Sequence, residues 1–395
     1  LILEETKEDL VALTDKLKSY GCKVRRPDTI DPVRTTLSSF DIKFPNSPMV
    51  PRDQYLVINE TIYQTYTSLT DRYFDGHSFY NCFNDLGYNW IAQPSPQLTD
   101  LDPTTKWWNG GKQIYQKILT DKVLWHTATM YKAGDKLITN TQGPGTQKGL
   151  EWCKKNITEV EIVANDSPVM NGWGHIDHGF FFVNDETIVC DKKEWVPSYL
   201  QHKQIIEIGH FLKDHMSMLE DYKKDFNKTE GMHSEQWLET YLDKWRGYDQ
   251  EISFDTNVLV LDHNCILFSR EIPELFAYLK QYEIDCDYVP IRHGTYWEAG
   301  IHCLTLDVSR AGLRRKIYNC GLFRRIDQSQ NSCSDFIEVL MPSREPRVSS
   351  YVYSNPQGRR SPRGQTRNSP TLRRLKPARG RKLINGRQGC RLQKT

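Results

Sequence analysis

The ten cysteines of this 395-residue chain include no Cys-x-x-Cys pair; they stand singly at positions 22, 82, 153, 190, 265, 286, 303, 320, 333 and 390. That scatter argues against a disulfide framework and against a zinc finger, and it suits a reducing compartment. No apolar run approaches the roughly 20 residues that span a bilayer. The first residues, LILEETKEDL, lack the basic start and apolar centre of a secretory leader. A cytoplasmic protein with no membrane partner is the expectation.

Charge is scarce only in sum. The net value is +2, yet residues 311–395 hold 20 Lys+Arg against 4 Asp+Glu, a surplus of +16, and the 32 basic and 46 acidic residues before them leave −14. Two parts follow: a folded domain over residues 1–310 and a basic tail over 311–395. From about Arg344 the tail is Arg, Ser, Pro, Gly and Gln with few apolar residues, a composition that cannot bury enough surface to fold alone. It reads either as a solvated charged segment or as the translation of a disrupted reading frame. Both are favoured over a nucleic-acid partner, because aromatics are few and no binding module is recognisable.

The hydrophobic content of 38% suffices for a core. Residues 4–20 carry Leu10, Leu13 and Leu17 on one helical face, with Gly21 as the stop. Beyond them a weak repeat appears: four times a polar residue leads into a short strand, a tight turn and a second strand. The copies begin at Pro51, His126, His175 and Thr256, with turn pairs Asn59-Glu60, Ala133-Gly134, Asn184-Asp185 and His263-Asn264. A fifth lead strand follows Cys303, where Leu304, Leu306 and Val308 alternate. Helical patterns lie between copies at 146–156, 199–216 and 271–283, and the stretch 199–250 reads as an insertion. Five irregular ββα-containing units predict an α/β fold of radial repetition, a five-bladed α/β propeller around a pseudo-fivefold axis, rather than a doubly wound sheet.

Radial units would bring the residues ahead of each lead strand to one end of a common axis: Asp53, His126, His175 with Asp177, Asn257 and Cys303. Singly each has a bland explanation, since Asp before a strand is a common turn former and most free cysteines are small buried hydrophobes. A thiol held at a loop-to-strand junction, exposed enough to react, would instead serve as a nucleophile. Two carboxylates beside it suit a planar cation with an electrophilic carbon, and guanidinium fits because its N–H groups fork onto carboxylates. A histidine can then protonate the departing amine. The bound cation would also favour thiolate over thiol.

The pieces KVRRPDTID, VPRD, AGDKLI, GLEW, GHIDHGF, NVLVLD and GIHCLTLDVSR, in that order from Val24 to Arg310, resemble the guanidino-modifying enzymes of pentein fold, most closely the arginine:glycine amidinotransferases. The resemblance implies Cys303 as nucleophile through a covalent amidino-thioether, His175 as general acid and base, and Asp53 and Asp177 as guanidinium ligands. Asn257 and Arg292 complete the candidate substrate-binding set. The implied partners are a small guanidino donor such as arginine and an amine acceptor such as glycine, with no metal and no cofactor; a homodimer is left open. Hydrolases of the deiminase or dihydrolase type, and a catalytically dead guanidino binder, are the alternatives. One departure concerns the family's F-D-A-A-D or E-G-G-D motif, whose carboxylate orients the histidine. His126 stands there in this chain and joins the candidate catalytic set. The family's arginine for a substrate carboxylate also has no counterpart after His175, where only Lys192 and Lys193 lie near.

Overall fold

The computed structural model describes residues 1–27, 49–67, 72–73, 75–96, 121–141, 145–168, 174–212, 221, 225, 235–246, 256–297, 299–310 and 337–342. Helix α1 (Ile2–Ser19) forms where the sequence placed a helix, and Leu10, Leu13 and Leu17 are fully buried along it. It ends in a glycine cap: Gly21 takes φ +81°, and the Cys22 and Gly21 N–H groups donate to the Leu17 and Lys18 carbonyls.

Among the described residues the strands form five three-stranded sheets in a mixed α/β fold. Four follow one plan, an antiparallel hairpin whose second strand pairs in parallel with a third. They are β2 (Tyr55–Ile58), β3 (Thr61–Gln64) and β4 (Asn89–Ala92); β5 (Met130–Ala133), β6 (Lys136–Thr139) and β7 (Glu161–Ala164); β8 (Phe180–Phe182), β9 (Thr187–Cys190) and β10 (Gln204–Glu207); and β11 (Leu259–Asp262), β12 (Cys265–Phe268) and β13 (Asp285–Tyr288). The crossovers carry α2 (Tyr80–Asn84), α3 (Gln147–Asn156) and α5 (Pro273–Lys280) in the first, second and fourth units. The hydroxyl of Thr146 caps α3 by accepting from Gly149 N–H at 3.0 Å.

The fifth sheet joins the two ends of the described fold. Strand β15 (Ile337–Leu340) pairs antiparallel with β14 (Leu306–Arg310) and parallel with β1 (Lys23–Arg25). This corrects the boundary after residue 310: Val339 and Met341, from the supposed tail, are fully buried in one cluster with Leu13, Leu17 and Cys303. The tail from 344 onward lies outside the described residues. A second correction concerns 199–216, expected as a helix. Gln204–Glu207 instead forms the third strand beside β9, because Ile205 and Ile206 extend readily and Ile206 packs with Val189 and Phe181. Of the supposed insertion, α4 (Glu235–Thr240) is described, and it runs into a wider helical turn that buries Tyr241 and Trp245.

Apolar clusters link the sheets in succession. Ile58 and Tyr63 of the first sheet meet Met130 and Leu137 of the second. Ala133 and Ile138 of the second meet Phe180 and Ile188 of the third. Phe181 and Ile206 of the third meet Ile266 and Phe268 of the fourth, and Leu259 and Leu267 of the fourth meet Val339 of the fifth. Tyr55 and Ile62 of the first sheet in turn meet Leu306 and Val308 of the fifth.

Candidate active site

The site residues occupy equivalent places, just ahead of each unit's first strand. Short 3-10 turns stand there: Pro51–Asp53 before β2, Thr127–Thr129 before β5 with His126 at its start, and Ile176–His178 before β8 with His175 at its start. Asn257 precedes β11, and Cys303 lies in a turn before β14. Hydrogen bonds stitch these segments across units. Thr127 Oγ1 donates to the Arg52 carbonyl at 2.6 Å, Arg52 Nε to the His302 carbonyl at 2.8 Å, and Thr256 Oγ1 to the Asp177 carbonyl at 3.1 Å. Side-chain donors on backbone carbonyls thus tie these separate stretches together.

The result is one cluster. Ligand atoms of His175, Asp177, His178 and Cys303 all lie within 4.8 Å of one another, and those of Asp53, His126 and His175 form a second such group that shares His175. Cys303 is 1% exposed, so the expected surface-reactive thiol is in fact enclosed. The alternation from Leu304 also starts later than expected, because residues 301–304 form a turn and β14 begins at Leu306.

Asn257 organises the thiol. Its Nδ2 donates to Cys303 Sγ at 3.0 Å and to Asp177 Oδ2 at 2.9 Å, while its Oδ1 accepts from Cys303 N–H at 3.0 Å. Gly300 makes this approach possible, since a Cβ there would sit 2.5 Å from Asn257 Oδ1. Asp177 Oδ2 also accepts from His302 Nδ1 at 2.6 Å, leaving Oδ1 buried with no hydrogen-bond partner among the described residues. Burial opposes ionisation of Asp177, but the His302 hydrogen bond and the neighbouring histidines His302, His178 and His175 outweigh it and hold the carboxyl well below its ordinary range. Burial pushes the Cys303 thiol well up, and the nearby Asp177 and Asp53 charges push it further. At rest the sulfur therefore keeps its proton.

On the other side Asp53 is fully buried, and its Oδ2 pairs with Nη1 of Arg72, whose Nε donates to Asp75 at 2.9 Å. The Oδ1 of Asp53 lies 4.0 Å from His175 Nδ1. His126 is 6% exposed; neither ring nitrogen has a hydrogen-bond partner among the described residues, and burial pushes the group down to about 3. Its ring centroid is 5.9 Å from that of His175.

Arg292 is not brought to the cluster by any described contact. It serves α1 instead, its Nε donating to Asp9 Oδ1 at 2.7 Å and its Nη2 to Glu8 at 2.8 Å. The acids Glu5, Glu8 and Asp9 of α1 satisfy this guanidinium, which was expected among the substrate-binding residues. Lys192 and Lys193 are exposed. Sequence reasoning missed Arg72, His178 and His302. The last two flank residues already singled out and could have been noticed, whereas Arg72 sits in a stretch with no strand signal. The set of His175, Asp177, His178 and Cys303 is also one that suits a borderline-soft divalent cation such as zinc.

A thiol, a histidine and two carboxylates, drawn from the segments ahead of different lead strands, are thus gathered in one cluster. No family model matches the chain. It is 22% identical to an inosamine-phosphate amidinotransferase of Streptomyces griseus over 331 residues, covering 78% of this chain and 82% of that one. It is 21% identical to the Streptomyces glaucescens protein of the same name over 330 residues, covering 79% and 82%. Among solved structures, the Streptomyces griseus inosamine-phosphate amidinotransferase superposes with TM-score 0.57 at 18% identity, covering 80% of this chain and 83% of that one. An amidinotransferase of the saxitoxin biosynthetic pathway from Microseira wollei superposes with TM-score 0.56 at 17% identity, covering 80% and 84%. The chain is similar to these amidinotransferases in sequence and shares the pentein fold of the two superposed structures.

Proposed function

We propose that this protein transfers an amidino group from an arginine-like donor to an amine acceptor through a covalent intermediate on Cys303. The observation that carries the proposal is the enclosure of Cys303 Sγ, a His175 nitrogen and the Asp177 carboxylate within 4.8 Å of one another. The five sheets act as five blades about a common axis, supported by the succession of apolar clusters that runs from the first sheet to the fifth and back to the first.

The protonated thiol gains its purpose from the substrate. A guanidinium entering between Asp177 and Asp53 cancels the charges that hold the proton on sulfur, so thiolate forms when there is something to attack and the thiol proton passes to His175. Asn257 Nδ2 then stabilises the thiolate. Sulfur bonds to the guanidinium carbon, the C–N bond to the donor's alkyl chain breaks, and His175 delivers a proton to the departing amine. The acceptor amine next attacks the amidino-thioether carbon, gives its proton to His175, and expels Cys303 as thiolate. Glycine is one candidate acceptor; the relatives' names add an amino-cyclitol phosphate, inosamine phosphate.

The test is product. Arginine and glycine together should yield ornithine and guanidinoacetate, and an amino-cyclitol phosphate should be tried in place of glycine. Citrulline, or ornithine formed with no acceptor present, would turn the assignment to a hydrolase. His126 at the place of the family's orienting carboxylate favours a second reading, a guanidino binder without turnover. Arginine binding to the protein with no product from any acceptor would support that reading.

A further inference from the structure

Resting on that reading of His175 as acid and base, we infer that Asp53, pinned by Arg72, is the carboxylate that positions His175, and that His126 is only a neutral filler at the family's orienting position. Asp53 Oδ1 is buried, has no hydrogen-bond partner among the described residues, and lies 4.0 Å from His175 Nδ1. A buried carboxylate oxygen left without a donor costs on the order of 1–3 kcal/mol. A small rotation of the imidazole brings Nδ1–H onto it; His126 also has a ring nitrogen within 4.8 Å of the carboxylate, but neither of its nitrogens makes a hydrogen bond among the described residues.

Arg72 fixes the geometry. It grips Asp53 Oδ2 and Asp75 Oδ2 at once, so the carboxylate plane cannot swing away from His175. One cation between two carboxylates leaves one negative charge over, which is what stabilises an imidazolium during proton transfer. His126 supplies none of this. Both of its nitrogens lack hydrogen-bond partners among the described residues, its ring is tilted 40° to that of His175, and burial keeps it uncharged. Among the described residues, the other titratable groups that cluster with His175 are Asp177 and His178 on its own turn and Cys303, and these belong to the substrate side.

Two consequences follow. With Nδ1–H directed to Asp53, Nε2 is the nitrogen left to exchange protons with the amine. Because Arg72 already fills Asp53 Oδ2, Asp53 acts on the donor as a charge rather than as a forked ligand, and the unpartnered Oδ1 of Asp177 is the oxygen that holds the donor guanidinium.

The experiment reads the tautomer of His175 by 15N chemical shifts in the labelled full-length protein, its signal assigned through His175→Gln. The wild type should show Nδ1 protonated and Nε2 bare at neutral pH. In Asp53→Asn, Arg72 retains the amide oxygen and turns the NH2 toward His175, so Nδ1 must accept and the tautomer should invert to Nε2–H, the logic of a triad aspartate changed to asparagine. His126→Gln should keep the wild-type tautomer. If turnover is found, Asp53→Asn should lower kcat by about 100-fold or more. An Nε2–H tautomer in the wild type overturns the inference with no variant needed. So does an unchanged tautomer in folded Asp53→Asn, or its inversion in His126→Gln. None of the spectroscopic arms needs turnover, so failure of the amidino-transfer reading would be seen separately, in the product assay.

Discussion

Asn257 holds Cys303 from both ends: its Nδ2 donates to the sulfur at 3.0 Å, and its Oδ1 accepts the cysteine's own N–H at 3.0 Å. One side chain thus sets the backbone of the nucleophile and supplies the donor that a thiolate requires. Hydrogen bonds to charged groups contribute roughly 1.5–3 kcal/mol. Asn257→Ala should therefore lower turnover about 10- to 150-fold, checked by steady-state kinetics beside a melting curve. Gly300→Ala, which forces a Cβ against Asn257 Oδ1, should reproduce that loss without touching any reacting atom.

Asp177→Asn should separate thiol reactivity from catalysis. Removing the negative charge beside Cys303 lowers the thiol's proton affinity, so iodoacetamide should alkylate the substrate-free variant faster than wild type. Turnover should fall about 1000-fold, because the guanidinium loses its main anionic ligand. Slower alkylation would show that Asp177 does not act on the sulfur by charge.

Acid should loosen the fold well before carboxylates titrate. His126 is held near 3 by burial against an ordinary 6.5, so protons favour the unfolded chain. Stability is then lost as pH falls below about 6.5 and continues to be lost down to about 3, at roughly 1.4 kcal/mol per pH unit for such a group. Asp177, whose carboxyl is depressed, withdraws stability only below about 3.8. Urea unfolding between pH 6.5 and 4 should show this slope, reduced by about one proton in His126→Gln. An equal slope in both proteins would mean that His126 is not the group responsible. A catalytic acid limb near 6.5 is accordingly not expected from His126.

Truncation should find the true edge of the fold. Ending the chain after residue 343 keeps β15 and should leave the melting temperature within about 2 °C. Ending it after 336 removes the strand between β1 and β14 together with buried Val339 and Met341. Losing two such side chains costs several kcal/mol, a large share of a domain's stability, so that product should not fold.

The repeat of hairpins was legible in the sequence because alternation and turn pairs such as His263-Asn264 are local signals. The third strands were harder: β10 reads as a helix until β9 is there to pair with it. The site was legible as a set of positions, since each member precedes a lead strand and the fold carries those places together. Its partners were not. Arg72 becomes visible only when tertiary packing sets it on Asp53, and Arg292 looked like a substrate ligand because the acids of α1 are 283 to 287 residues away in sequence. The boundary at 310 failed for the same reason, as β15 has little pattern of its own and is held by the strands on either side.

The central claim is that Cys303 carries the amidino group, and acid-quenched mass spectrometry of the protein mixed with labelled arginine tests it most directly. One amidino group should be found on the peptide containing Cys303, absent in Cys303→Ser and discharged when an amine acceptor is added before the quench. Turnover of arginine with no label ever found on Cys303, or label that persists in Cys303→Ser, would contradict it.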